Sequence, residues 1–205
     1  MEPPRSFEYM QVPDFATHYF RSSRGPFLNL SDLEGETLRD VIVQLVGERD
    51  QGLHSRSFGP TYVRMRRIVE DRLRECFVAI GGEPQRSAPH YFVLGESPWF
   101  RGLASDMSEV RIALKDLPED QTTVTWSDSF GAMKIALDFD LPYTSAPHHG
   151  RVFRLGDIAE LFATYGMPEV DEGEDYQTYL ERSPDRFVEI QLWSDEPIQQ
   201  YLSTK

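Results

Sequence analysis

The chain has 205 residues, 40% apolar and 27% charged, with a formal net charge of −13. A mean hydropathy of −0.48 and 12% aromatic residues exclude a wholly disordered chain, and a fold of this mass buries about 70% of the surface its unfolded form exposes, so a core needs neither disulfide nor metal. The single cysteine excludes an intrachain bridge, and no apolar run approaches the roughly 20 residues that span a bilayer.

The first residues, broken by Pro3, Pro4 and charge, lack the basic start and apolar run of a signal peptide, so the expected compartment is the reducing cytoplasm, with no membrane contact. The charge is uneven: residues 1–102 hold 13 Lys and Arg against 14 Asp and Glu, residues 103–205 hold 8 against 20. A negative field repels phosphate backbones, so nucleic acid is not an expected partner, whereas a basic protein is.

In chain order, residues 1–30 carry four prolines without sustained periodicity and read as an irregular N-terminal arm. Ser31-Asp32-Leu33-Glu34 has the spacing of a capping box, and Leu38, Val41, Ile42, Leu45 and Val46 recur at helical intervals. A second helix is expected over 61–80, closed by Gly81-Gly82. At 100° per residue from Met65, its core arc holds Tyr62, Ile68, Val69, Leu73, Cys76, Phe77 and Ile80, while Arg64, Arg67, Asp71 and Arg74 lie opposite. Arg66–Glu70, Arg67–Asp71 and Glu70–Arg74 stand at i,i+4 and read as surface pairs. Arg72 falls about 20° from the reference direction, inside the apolar arc, where its head must snorkel, meet a structural carboxylate, or bind an anion from a pocket floor.

Candidate strands follow at Pro89–Gly95, Val110–Leu114, Thr122–Trp126, Met133–Phe139, Arg151–Leu155 and Val188–Trp193. The gaps 118–121 and 127–132 are hairpin-sized, and three of the strands are expected to form an antiparallel meander. Helices are expected over Asp157–Tyr165 and Asp175–Glu181, with another closing the chain. Helices early, then strands, without regular alternation, give an α+β fold: one domain over 1–205, a mostly antiparallel sheet of about five or six strands packed against three to five helices.

There is no GxGxxG, Walker A loop, GxSxG, HExxH or CxxC. Cys76 belongs to the core arc and reads as packing rather than a nucleophile. Two loops built from Ser, Arg, Gly and Pro, 21–26 and 55–60, can offer amides and guanidinium groups to an anion. Arg24, Arg56, Arg64 and Arg72 are therefore the candidate substrate-binding residues, and His90, Asp128 and His149 the candidate catalytic ones that would move a proton.

Asp128 stands between Ser127 and Ser129, a pattern equally made by a turn. Asp138 and Asp140, two apart in a strand, would share a side. The five acids in Glu169–Asp175 lack EF-hand spacing and read as a solvated loop. No metal site is expected and no cofactor is specified. His18-Tyr19 and Tyr143-Thr144-Ser145 resemble pieces of an ADP-ribosyltransferase site at dipeptide scale, with no clear catalytic Glu, which names no family. The expected function is binding or processing of an anionic small molecule, a nucleotide or phosphorylated metabolite. The alternative is a non-catalytic acidic module, of inhibitor or immunity type, that binds a basic protein.

Overall fold

Phe15–Arg21 alternates Ala16, His18 and Phe20 with Thr17, Tyr19 and Arg21, and because both sets are covered it forms a strand without the usual polar face, β1. This corrects the expectation of an irregular segment up to residue 30. Pro13 and Pro26 bracket the strand rather than break it. The computed structural model describes residues 12–168 and 187–202. The expected helix at Asp175–Glu181 and the acidic run from Glu169 lie outside the described residues.

After β1 come α1 (Gly35–Asp50), α2 (Pro60–Ala79), β2 (His90–Leu94), α3 (Pro98–Arg101) and β3 (Met107–Ala113). Then follow β4 (Thr122–Thr125), α4 (Ser129–Ala132), α5 (Ile158–Tyr165), β5 (Glu189–Leu192) and α6 (Gln199–Leu202). The strands make one antiparallel five-stranded sheet in the order β3-β1-β2-β5-β4. With its flanking helices this is the α+β architecture the sequence implies. Among the described residues no helix is long and apolar enough to cross a membrane.

The expected meander does not form, since β3 and β4 stand at opposite edges of the sheet. Residues 114–121 cross between the edges through two short 3₁₀ turns. The segment 133–139 is not a strand: Lys134 and Asp140 take left-handed backbone (φ 56° and 51°) around a 3₁₀ turn at Ile135–Phe139. That turn removes Asp138 and Asp140 from a shared strand face. Among the described residues Arg151–Leu155 contributes a single bridge, Phe153 to Val124. The Ser31–Glu34 signal is spent otherwise: Asn29 caps a 3₁₀ turn at Leu30–Asp32, the Ser31 hydroxyl donates to Glu70, and α1 starts at Gly35.

The core has two parts, one on each face of the sheet. On one side Ala16, Phe92, Leu94, Ile112, Val124, Ile190 and Leu192 pack with Ile158 and Leu161 of α5. On the other, Val69, Leu73 and Phe77 of α2 pack with Trp193, Ala132, Met133 and Ile135. Each Val, Leu, Ile, Phe or Met side chain among these, where fully buried, contributes about 1.5–3 kcal/mol relative to exposure. Gly81, at φ 85°, ends α2 as the sequence implies.

Candidate functional site

β1 meets β3 in seven register pairs but β2 in only two, Ala16 with Leu94 and Thr17 with Val93. Beyond Thr17 the two strands share no ladder pair, and a cavity of about 620 Å³ opens where they part. It is walled by β1, β2, the start of α2, the loops 24–33 and 54–58, and residues Phe187 and Glu189 around the start of β5.

His18 bridges the parted strands. Its Nδ1 donates to the Tyr91 carbonyl at 2.8 Å and its Nε2 accepts from the Phe27 amide at 3.0 Å, which fixes one neutral tautomer. The ring stacks at 4.2 Å on Phe27, whose backbone is left-handed (φ 58°). Burial drives the His18 pKa down to about 4.

The α2 wall carries positive charge. Arg66 donates to the Ser129 hydroxyl at 3.0 Å and to the Tyr62 hydroxyl at 3.3 Å, and its guanidinium lies 4.3 Å from the Tyr91 ring centre and 4.6 Å from that of Phe130. Arg56 donates to the same Tyr62 oxygen at 3.4 Å and lies over Phe58. Among the described residues neither guanidinium has a carboxylate oxygen within 4.0 Å. Burial alone would raise the Tyr62 phenol, but Arg66 and Arg56 outweigh it and hold the pKa below its ordinary value.

The other arginines on the cavity wall are paired. Arg21 binds Glu48 and Asp106 at 2.6 and 2.7 Å, Arg24 binds Glu48 at 2.7 Å, and Arg86 bridges Asp32 and Asp195.

Three carboxyl groups surround the α2 wall. Glu70 is buried and accepts from the Ser31 and Tyr91 hydroxyls; burial raises its pKa despite Arg66 nearby. Glu189 is also buried and accepts from the Gln191 side chain at 3.2 Å. Asp128 caps α4 by accepting from the Phe130 and Gly131 amides, yet burial and the neighbouring Glu189 charge raise its pKa to about 7. At the opposite end His90 is 2.8 Å from Asp195, and burial lowers its pKa against that carboxylate's pull.

Of the residues singled out in the sequence, Arg24, Arg56 and His90 share the cavity wall, and Asp128 stands beside Glu189 behind it. The others lie elsewhere. Arg64 covers Phe139. Arg72 is clasped by both oxygens of Asp138 at 2.7 and 2.8 Å, each side chain 36% exposed, beside a separate shallow groove of about 350 Å³. It meets the structural carboxylate that was one of its expected fates. His149 binds the Tyr143 hydroxyl at 2.9 Å, also away from the cavity. Burial raises the Cys76 thiol, as suits packing.

Sequence reasoning missed Arg66, Glu70 and Glu189. The i,i+4 spacing of Arg66 and Glu70 reads as a solvent face, whereas in the structure Glu189 and Gln191 of β5 are buried, Arg66 donates to Ser129 and Glu70 accepts from Tyr91. Among the described residues no three His, Cys, Asp or Glu side chains converge to hold a metal. No family model, curated protein or solved structure matches the chain.

Proposed function

We propose that the cavity between β1 and β2 binds an anionic small molecule of the nucleotide or phosphorylated-metabolite class, with Arg56 and Arg66 as its anion clamp. The observation that carries this is the pair of guanidinium groups converging on the Tyr62 oxygen, neither with a carboxylate oxygen within 4.0 Å among the described residues, while Glu70 and Glu189 act on Arg66 only from beyond that distance. Like charges so close repel, and the planar fork of arginine matches a phosphate or carboxylate in two-point contact. The wall opposite is aromatic, with Tyr19, Phe92, Phe100 and Phe187, which suits a flat base or ring. For chemistry at this site, neutral His90, held by Asp195, and protonatable Asp128 beside Glu189 are the groups that would exchange a proton.

The test is thermal unfolding against AMP, ADP, NAD⁺, sugar phosphates and divalent ions. A ligand at 100 times its Kd stabilises by about 2.7 kcal/mol, or roughly 5–10 °C for a chain of this size. Arg66→Lys, which keeps charge but loses the fork, and Arg56→Ala should each abolish the shift, whereas Arg72→Ala should leave it. A blank panel, together with salt-sensitive capture of a basic protein, favours the acidic interaction module instead.

A second reading rests on Glu189. His18 and Tyr19, half of the dipeptide resemblance, line the same cavity as this carboxylate, whereas Tyr143–Ser145 do not. NAD⁺ therefore carries a second readout, release of nicotinamide with water or an acceptor taking the ADP-ribose, which Glu189→Gln should stop.

A further inference from the structure

The cavity is roofed by a helix that belongs to neither core. Of the sixteen residues of α1 only Leu45 is buried, and no α1 residue joins the apolar cluster on either sheet face. Its inner apolar residues, Val41 and Leu45, line the cavity instead. Glycines in left-handed backbone flank it, Gly35 at φ 56° and Gly52 at φ 75°, and a methyl placed on either would meet nothing within 4 Å. Glu34 at its start makes no side-chain capping bond.

What holds the C-terminal end of α1 down is polar. The Glu48 carboxylate takes Arg21 at 2.6 Å and Arg24 at 2.7 Å, both on the rim formed by β1 and its following turn, and the Leu45 carbonyl is 3.0 Å from the His54 ring. Arg21 keeps a second partner in Asp106, but among the described residues Arg24 has Glu48 alone, and its buried Nε finds no hydrogen-bond partner there. An anion entering the cavity would compete with Glu48 for Arg24.

We propose that α1 is a hinged cover of the cavity, turning at Gly35 and Gly52 and latched by Glu48 on Arg21 and Arg24, so that anionic ligands exchange through its opening. The proposal rests on the reading that the cavity receives a ligand. An element with few buried apolar contacts and an ionic tether opens locally without global unfolding.

Amide hydrogen exchange of the ligand-free protein tests it, because it needs no natural ligand. Residues 38–50 should exchange at least tenfold faster than the buried turns of α2 around Val69 and Leu73. Glu48→Ala should speed the α1 amides about another tenfold while leaving the α2 amides unchanged, which also verifies the fold. The anionic apolar dye 1-anilinonaphthalene-8-sulfonate should fluoresce several-fold more brightly with Glu48→Ala than with wild type. Exchange of α1 as slow as α2 in wild type, or unchanged α1 amides in the variant, overturns the cover whether or not a nucleotide binds. A mobile α1 with a blank nucleotide panel would instead overturn the ligand reading and leave the hinge.

Discussion

Arg66 and Arg72 lie on the same helix with the same chemistry and opposite fates. Arg72 looked anomalous because it falls in the apolar arc, yet its neighbour in space is Asp138, which a 3₁₀ turn brings up to close the charge. Arg66 looked ordinary because Glu70 follows one turn later, yet Glu70 turns to Ser31 and Tyr91. Helical spacing gives direction, but the partner on the far side is a tertiary fact. Two titrations follow at this scale. The His18 ring should stay neutral, with its proton on Nδ1, at pH 5.5 by nitrogen NMR, because its folded pKa is about 4. Since that pKa lies below the unfolded value, the stability His18 contributes is present above about pH 6.5 and is lost as pH falls through 4. Asp128 has the opposite sign. Its pKa of about 7 means the folded state holds a proton that the unfolded chain releases near 4, so stability falls as pH rises between them. Asp128→Asn keeps the capping oxygen and should gain stability relative to wild type by roughly 1 kcal/mol per pH unit between about pH 4 and 7, levelling off above, measured by urea unfolding.

Among elements, α2, α5, β2, β4 and β5 were legible because period, length and flanking glycine or proline agreed. β1 was not, since a strand covered on both faces has no alternation to find, and its prolines sit where an arm would also have them. The segment 133–139 has strand-like composition, but left-handed Lys134 and Asp140 turn it back on itself, which no period announces. Of the site, Arg24, Arg56 and His90 were readable as loop and strand-end residues. The cavity was not, because it arises from two strands that pair for two positions and then part. The closing of α2 yields a sharp expectation. A methyl on Gly82 would overlap the Phe77 ring, which is fully buried against Trp193. Gly82→Ala should cost about 1–3 kcal/mol in chemical denaturation, whereas Gly47→Ala, where a methyl meets nothing, should not destabilise.

At the scale of the molecule, a chain of net charge −13 sets two arginines that have no ion pair among the described residues, Arg56 and Arg66, on the wall of one cavity. That arrangement disfavours polyanions, which need a broad basic footprint, and suits a small anion that can enter alone. Under the alternative reading the acid-rich half, residues 103–205, would steer a basic protein, and capture of such a partner should weaken steeply between 50 and roughly 300 mM salt. The α1 roof, the parted strands and the arginine pair converge on one volume, so the account stands on whether that volume takes an anion. The most direct measurement is the guanidinium Nε–H resonance of Arg66, identified by its loss in Arg66→Lys, during titration with ADP and NAD⁺. Saturable movement of that resonance, with Arg72 unmoved, is the predicted result; an Arg66 signal unchanged across the whole panel would contradict it.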